Sequence, residues 1–130
     1  MVSLTSRPSV DPVLLGSLER LIERFLEHPD RGTRWRALAA GAAVARSWGD
    51  CVGYLLVATG RAEVMVDPVL SAWDAAPFLP IITEAGGVFT DWSGAASVRG
   101  GSAIATNRRL AAVVRASLGC PVDPHLMETN

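Results

Sequence analysis

Apolar and polar positions along this chain follow two periods, and the switches between them mark out its elements. Val2-Ser3-Leu4-Thr5 alternates and predicts a short strand almost at the first residue. A chain that opens on a sheet strand reads as a domain cut from something longer. Asp11-Pro12 then offers a helix start, with Asp as N-cap and Pro in the first helical position. Behind it Leu14, Leu18, Leu21 and Phe25, with Leu15, Ile22 and Leu26, recur at helical spacing, while Glu19, Arg20, Glu23, Arg24 and Glu27 fill the opposite face. That helix is predicted to stop near His28-Pro29, with His28 as a partner for its dipole. Asp30-Arg31-Gly32 reads as a turn. Thr33 reads as the cap of an Ala-rich helix over about 34–45, packing through Trp35, Leu38, Ala42 and Ala45. Arg46-Ser47-Trp48-Gly49 interrupts this pattern, and Asp50 offers an N-cap to a further helix over 51–59 that Gly60 terminates.

The second half is more sharply punctuated. A strand over 62–66 runs into Asp67, and a helix is predicted to open near Ala72. Pro77 is tolerable in its first turn, but Pro80 should kink it, and Gly86-Gly87 ends it. Val88-Phe89-Thr90 is a strand, Asp91-Trp92-Ser93-Gly94 a turn and 95–101 a Gly-rich loop that reads as mobile. A last strand covers 102–106. Asn107 caps a final helix through Leu118, and Gly119 closes it. No internal repeat is present. Strands alternating with helices predict one α/β layered domain over 1–119 with a mixed or mostly parallel sheet, and 120–130 reads as a flexible tail.

Candidate chemistry gathers where strands end and helices begin. In layered α/β folds ligands collect at such positions, and Asp50, Asp67 and Asp74 all fall there. Two carboxylates seven residues apart, at a strand end and a helix start, suit a hard cation or a polyol. The competing reading makes Asp67 a turn residue and Asp74 an ordinary first-turn helix residue.

Composition narrows the field without identifying the protein. With 49% hydrophobic residues, 19% charged residues and a net charge of −1 in 130 residues, the chain fits one globular domain and lacks the basic excess that nucleic acid or an anionic membrane would require. All 12 basic residues are Arg, which reads as codon bias. Cys51 and Cys120 are too few for a disulfide framework or a zinc site. Residues 1–10 lack the apolar core of a secretory signal, and no apolar run reaches about 18 residues, so a cytoplasmic protein without a membrane span is expected.

Several motifs in order carry a resemblance. They are Arg46-Ser47-Trp48-Gly49-Asp50-Cys51, then Leu56-Val57-Ala58-Thr59-Gly60-Arg61-Ala62-Glu63, then 67–87 with Trp73-Asp74 and Glu84-Ala85-Gly86-Gly87, and finally Ala103-Ile104-Ala105-Thr106-Asn107. Over 46–118 the chain resembles the C-terminal half of the inositol monophosphatase family. The resemblance implies that Asp74 is a ligand to an activating Mg2+ and also contacts substrate, and that Asp67 binds substrate hydroxyls. It further implies that Gly49, Asp50 and Cys51 line the substrate pocket at a helix N-terminus, and that Glu84 holds a helix end. Gly-Asp-Cys resembles the histidinol-phosphatase branch, tied to histidine biosynthesis, more than the inositol branch. A carboxylate at Asp50 would pair with the amino group of histidinol phosphate, whereas an inositol ring offers hydroxyls. Asp50 read only as a helix cap stands beside that role.

The same resemblance shows what this stretch does not contain. The family draws most of its metal ligands from a paired-Glu segment and an Asp-Pro-x-Asp-Gly-Thr loop. Here Asp11-Pro12, Asp67-Pro68 and Asp123-Pro124 do not continue to Asp-Gly-Thr, and no Glu-Glu pair occurs. One remaining ligand cannot hold a hard cation tightly. Three readings stay open: the C-terminal domain of a phosphomonoesterase acting on histidinol phosphate or inositol phosphate, inactive alone; a non-catalytic binding module from the same family; or an unrelated α/β domain whose acidic residues are caps. Under the first, an apolar face is expected to be left open, favouring self-association or a homo-oligomer.

Overall fold

The computed structural model describes residues 14–16, 29–47, 51–122 and 124. In chain order the elements are β1 (Leu14–Gly16), α1 (Pro29–Ala40), β2 (Ala45–Ser47), α2 (Val52–Ala58), β3 (Val64–Asp67), α3 (Ala72–Ala75), α4 (Phe78–Glu84), β4 (Val88–Thr90), β5 (Ala103–Thr106) and α5 (Ala111–Ser117). The strands form one sheet in the order β2-β1-β3-β5-β4. β1 runs parallel to both β2 and β3, while β5 is antiparallel to β3 and β4. The sheet is therefore mixed, and helices cover both of its faces.

Alternation along the strands divides the core in two. Val64, Val66 and Ile104 point to one face, where Trp92, Val114, Leu118 and Cys120 close the core and Trp35 and Leu38 of α1 pack over it. Met65, Phe89, Ala103 and Ala105 point the other way, against Tyr54 and Val57 of α2, Ala75 of α3, and Phe78 and Ile82 of α4. Burial on both faces is why β3 reads as a continuous apolar run before its terminal Asp67.

Local chemistry explains most boundaries. Gly60 (φ 74°) and Gly86 (φ 87°) end α2 and α4 in the left-handed region that glycine enters without a Cβ penalty. The predicted kink lies earlier than Pro80. The expected single helix is two, broken at Ala76-Pro77, with Pro77 preceding the first residue of α4. Pro80 is thereby the third residue of α4, where a missing N–H costs nothing because first-turn donors have no partner inside the helix. Asn107 caps as expected, its Oδ1 accepting from Leu110 N at 2.9 Å.

Other expectations are corrected. Leu14–Gly16, assigned by periodicity to a helix, forms β1 between β2 and β3, where partners on both sides satisfy the backbone. The rest of that predicted helix, His28 and the strand over 2–5 lie outside the described residues. α1 begins at Pro29, so Asp30-Arg31-Gly32 is helix rather than turn and Thr33 lies inside it. Pro in the first position and an acid in the first turn suit such a start. The helix also stops at Ala40, and Ala45–Ser47, read as helix end and interruption, is β2. Cys120, placed at the head of the tail, is buried beside Trp92, with its N–H donating to Arg115 O at 2.9 Å.

Arg115 is fully buried in α5. Its Nε donates to Thr90 Oγ1 at 2.8 Å, Nη1 to Thr106 Oγ1 at 2.9 Å and Ala111 O at 3.2 Å, and Nη2 to Val88 O at 3.2 Å and Ile104 O at 2.7 Å. Every N–H of the guanidinium thus meets a neutral oxygen. Burial pushes its pKa down to about 10. A cation depressed in this way costs stability at every pH below about 10, and that cost fades as the pH climbs from there toward the higher value of an unfolded arginine. Arg115→Lys presents three donors to five acceptors and is expected to lower the free energy of unfolding by about 2–4 kcal/mol in urea melts at pH 7. An unchanged midpoint would mean that the guanidinium network does not hold the sheet edge.

Candidate functional site

β1, β2 and β3 run parallel, so their carboxyl ends lie at one end of the sheet, joined there by the end of β4 and the start of β5. Asp67 closes β3 at this end and is 3% exposed. α2 follows β2 and begins at the same end, which brings its first turn over the strand. Tyr54 in that turn donates its hydroxyl to Asp67 Oδ2 at 2.8 Å. The Tyr54 ring stacks on Phe78 with centroids 4.5 Å apart and planes 16° apart, and leans on Phe89 at 6.2 Å.

From Asp67 the chain turns through Pro68-Val69-Leu70 into α3. Leu70 N donates to Gly101 O at 2.9 Å, which ties this turn to the Gly-rich loop. Ser71 precedes α3 and donates its hydroxyl to Asp74 Oδ2 at 2.6 Å, fixing an exposed carboxylate on the first turn. Trp73, between the two, is 80% exposed. Cys51 stands exposed immediately before α2. Gly49 and Asp50 lie outside the described residues.

The opposite face at this end is polar but filled. Asp91 Oδ1 accepts from Ser93 N at 2.8 Å, Ser93 Oγ at 2.6 Å and Ala95 N at 3.0 Å, closing the expected turn with its own side chain. Arg31 lies over the Trp92 ring at 5.0 Å and donates to Pro68 O at 3.5 Å. Burial lowers its pKa, with Asp91 opposing the shift.

The structure thus places Asp67, Asp74 and Cys51 around one sheet end, with Asp67 recessed and Asp74 open. Two oxygen-bearing side chains suit a hydroxyl or ammonium group. They do not complete a magnesium shell: among the described residues no three His, Cys, Asp or Glu side chains converge. Sequence reasoning missed Tyr54. The signal was present, because the chain's single tyrosine shares a helical stripe with Val57 and a buried phenol requires a polar partner.

Comparison with known proteins places this geometry. The inositol monophosphatase family model matches residues 16–120, and the chain belongs to that family. It is 39% identical over 103 residues to the histidinol-phosphatase of Chlorobaculum parvum, covering 79% of this chain and 38% of that one. It is 40% identical over 87 residues to the histidinol-phosphatase of Mycobacterium tuberculosis, covering 67% of this chain and 30% of the relative. Among solved structures, an inositol monophosphatase from Zymomonas mobilis superposes with a TM-score of 0.72 at 22% identity, over 92% of this chain and 47% of that one. Staphylococcal IMPase-II gives a TM-score of 0.71 at 23% identity, over 96% and 48%. These structures share the fold. The chain spans about a third of the length of the relatives it matches in sequence and slightly under half of the solved chains. No helix among the described residues is long and apolar enough to cross a membrane.

The two described tryptophans at this end should differ sharply in cost. Trp92, buried and bonded through Nε1 to Leu118 O at 3.2 Å, is expected to lose about 3–5 kcal/mol as Trp92→Ala in denaturant melts. Trp73→Ala should cost less than about 0.5 kcal/mol. A large loss at Trp73 would show that it belongs to this domain's own core and does not face outward.

Proposed function

We propose that this chain is the substrate-facing C-terminal part of a magnesium-dependent phosphate monoester hydrolase, and that alone it does not turn over substrate. The observation that carries this reading is the recessed Asp67 and open Asp74 flanking one short turn at the carboxyl end of the sheet, in a member of the inositol monophosphatase family. Asp67 binds a hydroxyl or amino group of the substrate. Asp74 contacts substrate and is the one magnesium ligand this stretch contributes. Gly49, Asp50 and Cys51 line the pocket at the start of α2. The substrate is a small phosphorylated metabolite, histidinol phosphate before inositol phosphate, since the relatives at 39% and 40% identity are histidinol-phosphatases and Asp50 supplies a counter-charge for an amine.

When bound, magnesium neutralises phosphate charge and activates water. The described carboxylates do not form a shell, so the remaining ligands must come from residues other than these. The same shortfall supports the second reading, a non-catalytic module that keeps the pocket for a ligand or partner.

Adding an N-terminal half of the family in trans and following magnesium-dependent phosphate release separates the two. The phosphatase reading expects histidinol phosphate hydrolysis only in the mixture. It also expects Asp74→Asn to cost more than the roughly 10–100-fold typical of losing an outer-shell partner. Restored activity that ignores Asp74→Asn would remove the metal-ligand role. Binding of histidinol phosphate with no turnover in the mixture would favour the module.

A further inference from the structure

The chain's single tyrosine is fully buried, with its ring against two aromatic side chains and its hydroxyl on Asp67. Tyr54 is clamped between Phe78 of α4 and Phe89 of β4, so the ring cannot swing without displacing two other aromatic side chains. The preceding residue packs on the strand. A Cβ at Gly53 would run into Met65 Sδ on β3, so a side chain there would require Met65 to shift. Met65 and Asp67 point to the same face of the sheet, toward α2, and the phenol stands 2.8 Å from Asp67 Oδ2. A phenol donating to a carboxylate is a charge-assisted bond with directional preference, and both partners are buried.

We infer that Tyr54 is a positioning residue: its hydroxyl fixes the plane of the Asp67 carboxylate before substrate arrives. The χ2 torsion of a carboxylate is broad, and a directional donor narrows it. Holding one orientation in advance removes that ordering cost from substrate binding. The inference rests on the reading of Asp67 as the group that contacts substrate.

Tyr54→Phe keeps the ring and its stack and removes only the hydroxyl. In the full chain, the Asp67 carboxyl carbon followed by 13C NMR through an acid titration should show its midpoint rise by about one pH unit in Tyr54→Phe, because a donor to the charged form is lost. Phe78→Leu, which loosens the stack and keeps the bond, should move it far less. A folded Tyr54→Phe chain with an unmoved Asp67 midpoint overturns the inference. Should Tyr54→Phe not fold, Asp67→Asn gives the reciprocal readout at Tyr54 Cζ: the phenol titration moves down when the adjacent carboxylate is gone, and an unmoved phenol overturns the inference equally. In the enzyme complemented in trans, Tyr54→Phe should raise KM about tenfold with kcat within about twofold. If Asp67→Asn raises KM and Tyr54→Phe does not, the positioning role fails while the substrate reading stands. If Asp67→Asn leaves KM unchanged, the substrate reading fails whatever the titration shows.

Discussion

A positive charge sealed from solvent pins the edge of this sheet. Arg115 reaches from α5 across β4 and β5, donating to the backbone of both strands and to the Thr90 and Thr106 hydroxyls between them. Taking a guanidinium out of water is costly, and among the described residues no carboxylate offsets it by direct contact; five hydrogen bonds to neutral oxygens do. The arrangement is intolerant for that reason, since any shift of β4 against β5 would strand a buried donor. The consequence reaches the site through pairing. β5 is antiparallel to β3 with Ala103 opposite Asp67, so the strand that Arg115 anchors also sets where the Asp67 carboxylate stands.

From there the site is built by short connections. α2 packs on Met65 at Gly53, and Tyr54 meets Asp67 from the helix side. The turn after β3 is tied to the loop after β4 through Leu70 N and Gly101 O, and Ser71 fixes Asp74 at the opening of α3. One carboxylate is recessed and held by a directional bond, and the other is exposed. That asymmetry fits the proposed division, in which Asp67 would read the substrate and Asp74 would meet an ion completed by other ligands. The exposed Trp73 beside Asp74 fits the same division.

Much of this was legible wherever the signal was local. β3, β4 and β5 are short apolar runs bounded by turn residues, Gly60 and Gly86 terminate helices by their own conformational preference, and Asp67 and Asp74 stand at element ends readable from spacing. The failures have one cause, which is long-range context. Leu14 and Leu15 belong to a helical series by period but occupy a strand between two parallel neighbours. Pro29 by period ends one helix, but its lack of an N–H equally suits the first position of the next, which it occupies. Arg115 lies on the inward stripe with Ala111, Val114 and Leu118, so its burial could have been suspected from period alone; its partners on β4 and β5 could not. Tyr54 and Asp67 are 13 residues apart and meet only because a helix and a strand pack closely.

We propose that this stretch supplies one side of a phosphatase site that other residues complete. Native mass spectrometry of the protein purified from its own cells, with histidinol phosphate hydrolysis assayed on the same fraction, tests it most directly. The account expects these residues within a larger polypeptide or assembly, with activity confined to that species. A species with the mass of these 130 residues alone that hydrolyses histidinol phosphate would contradict it.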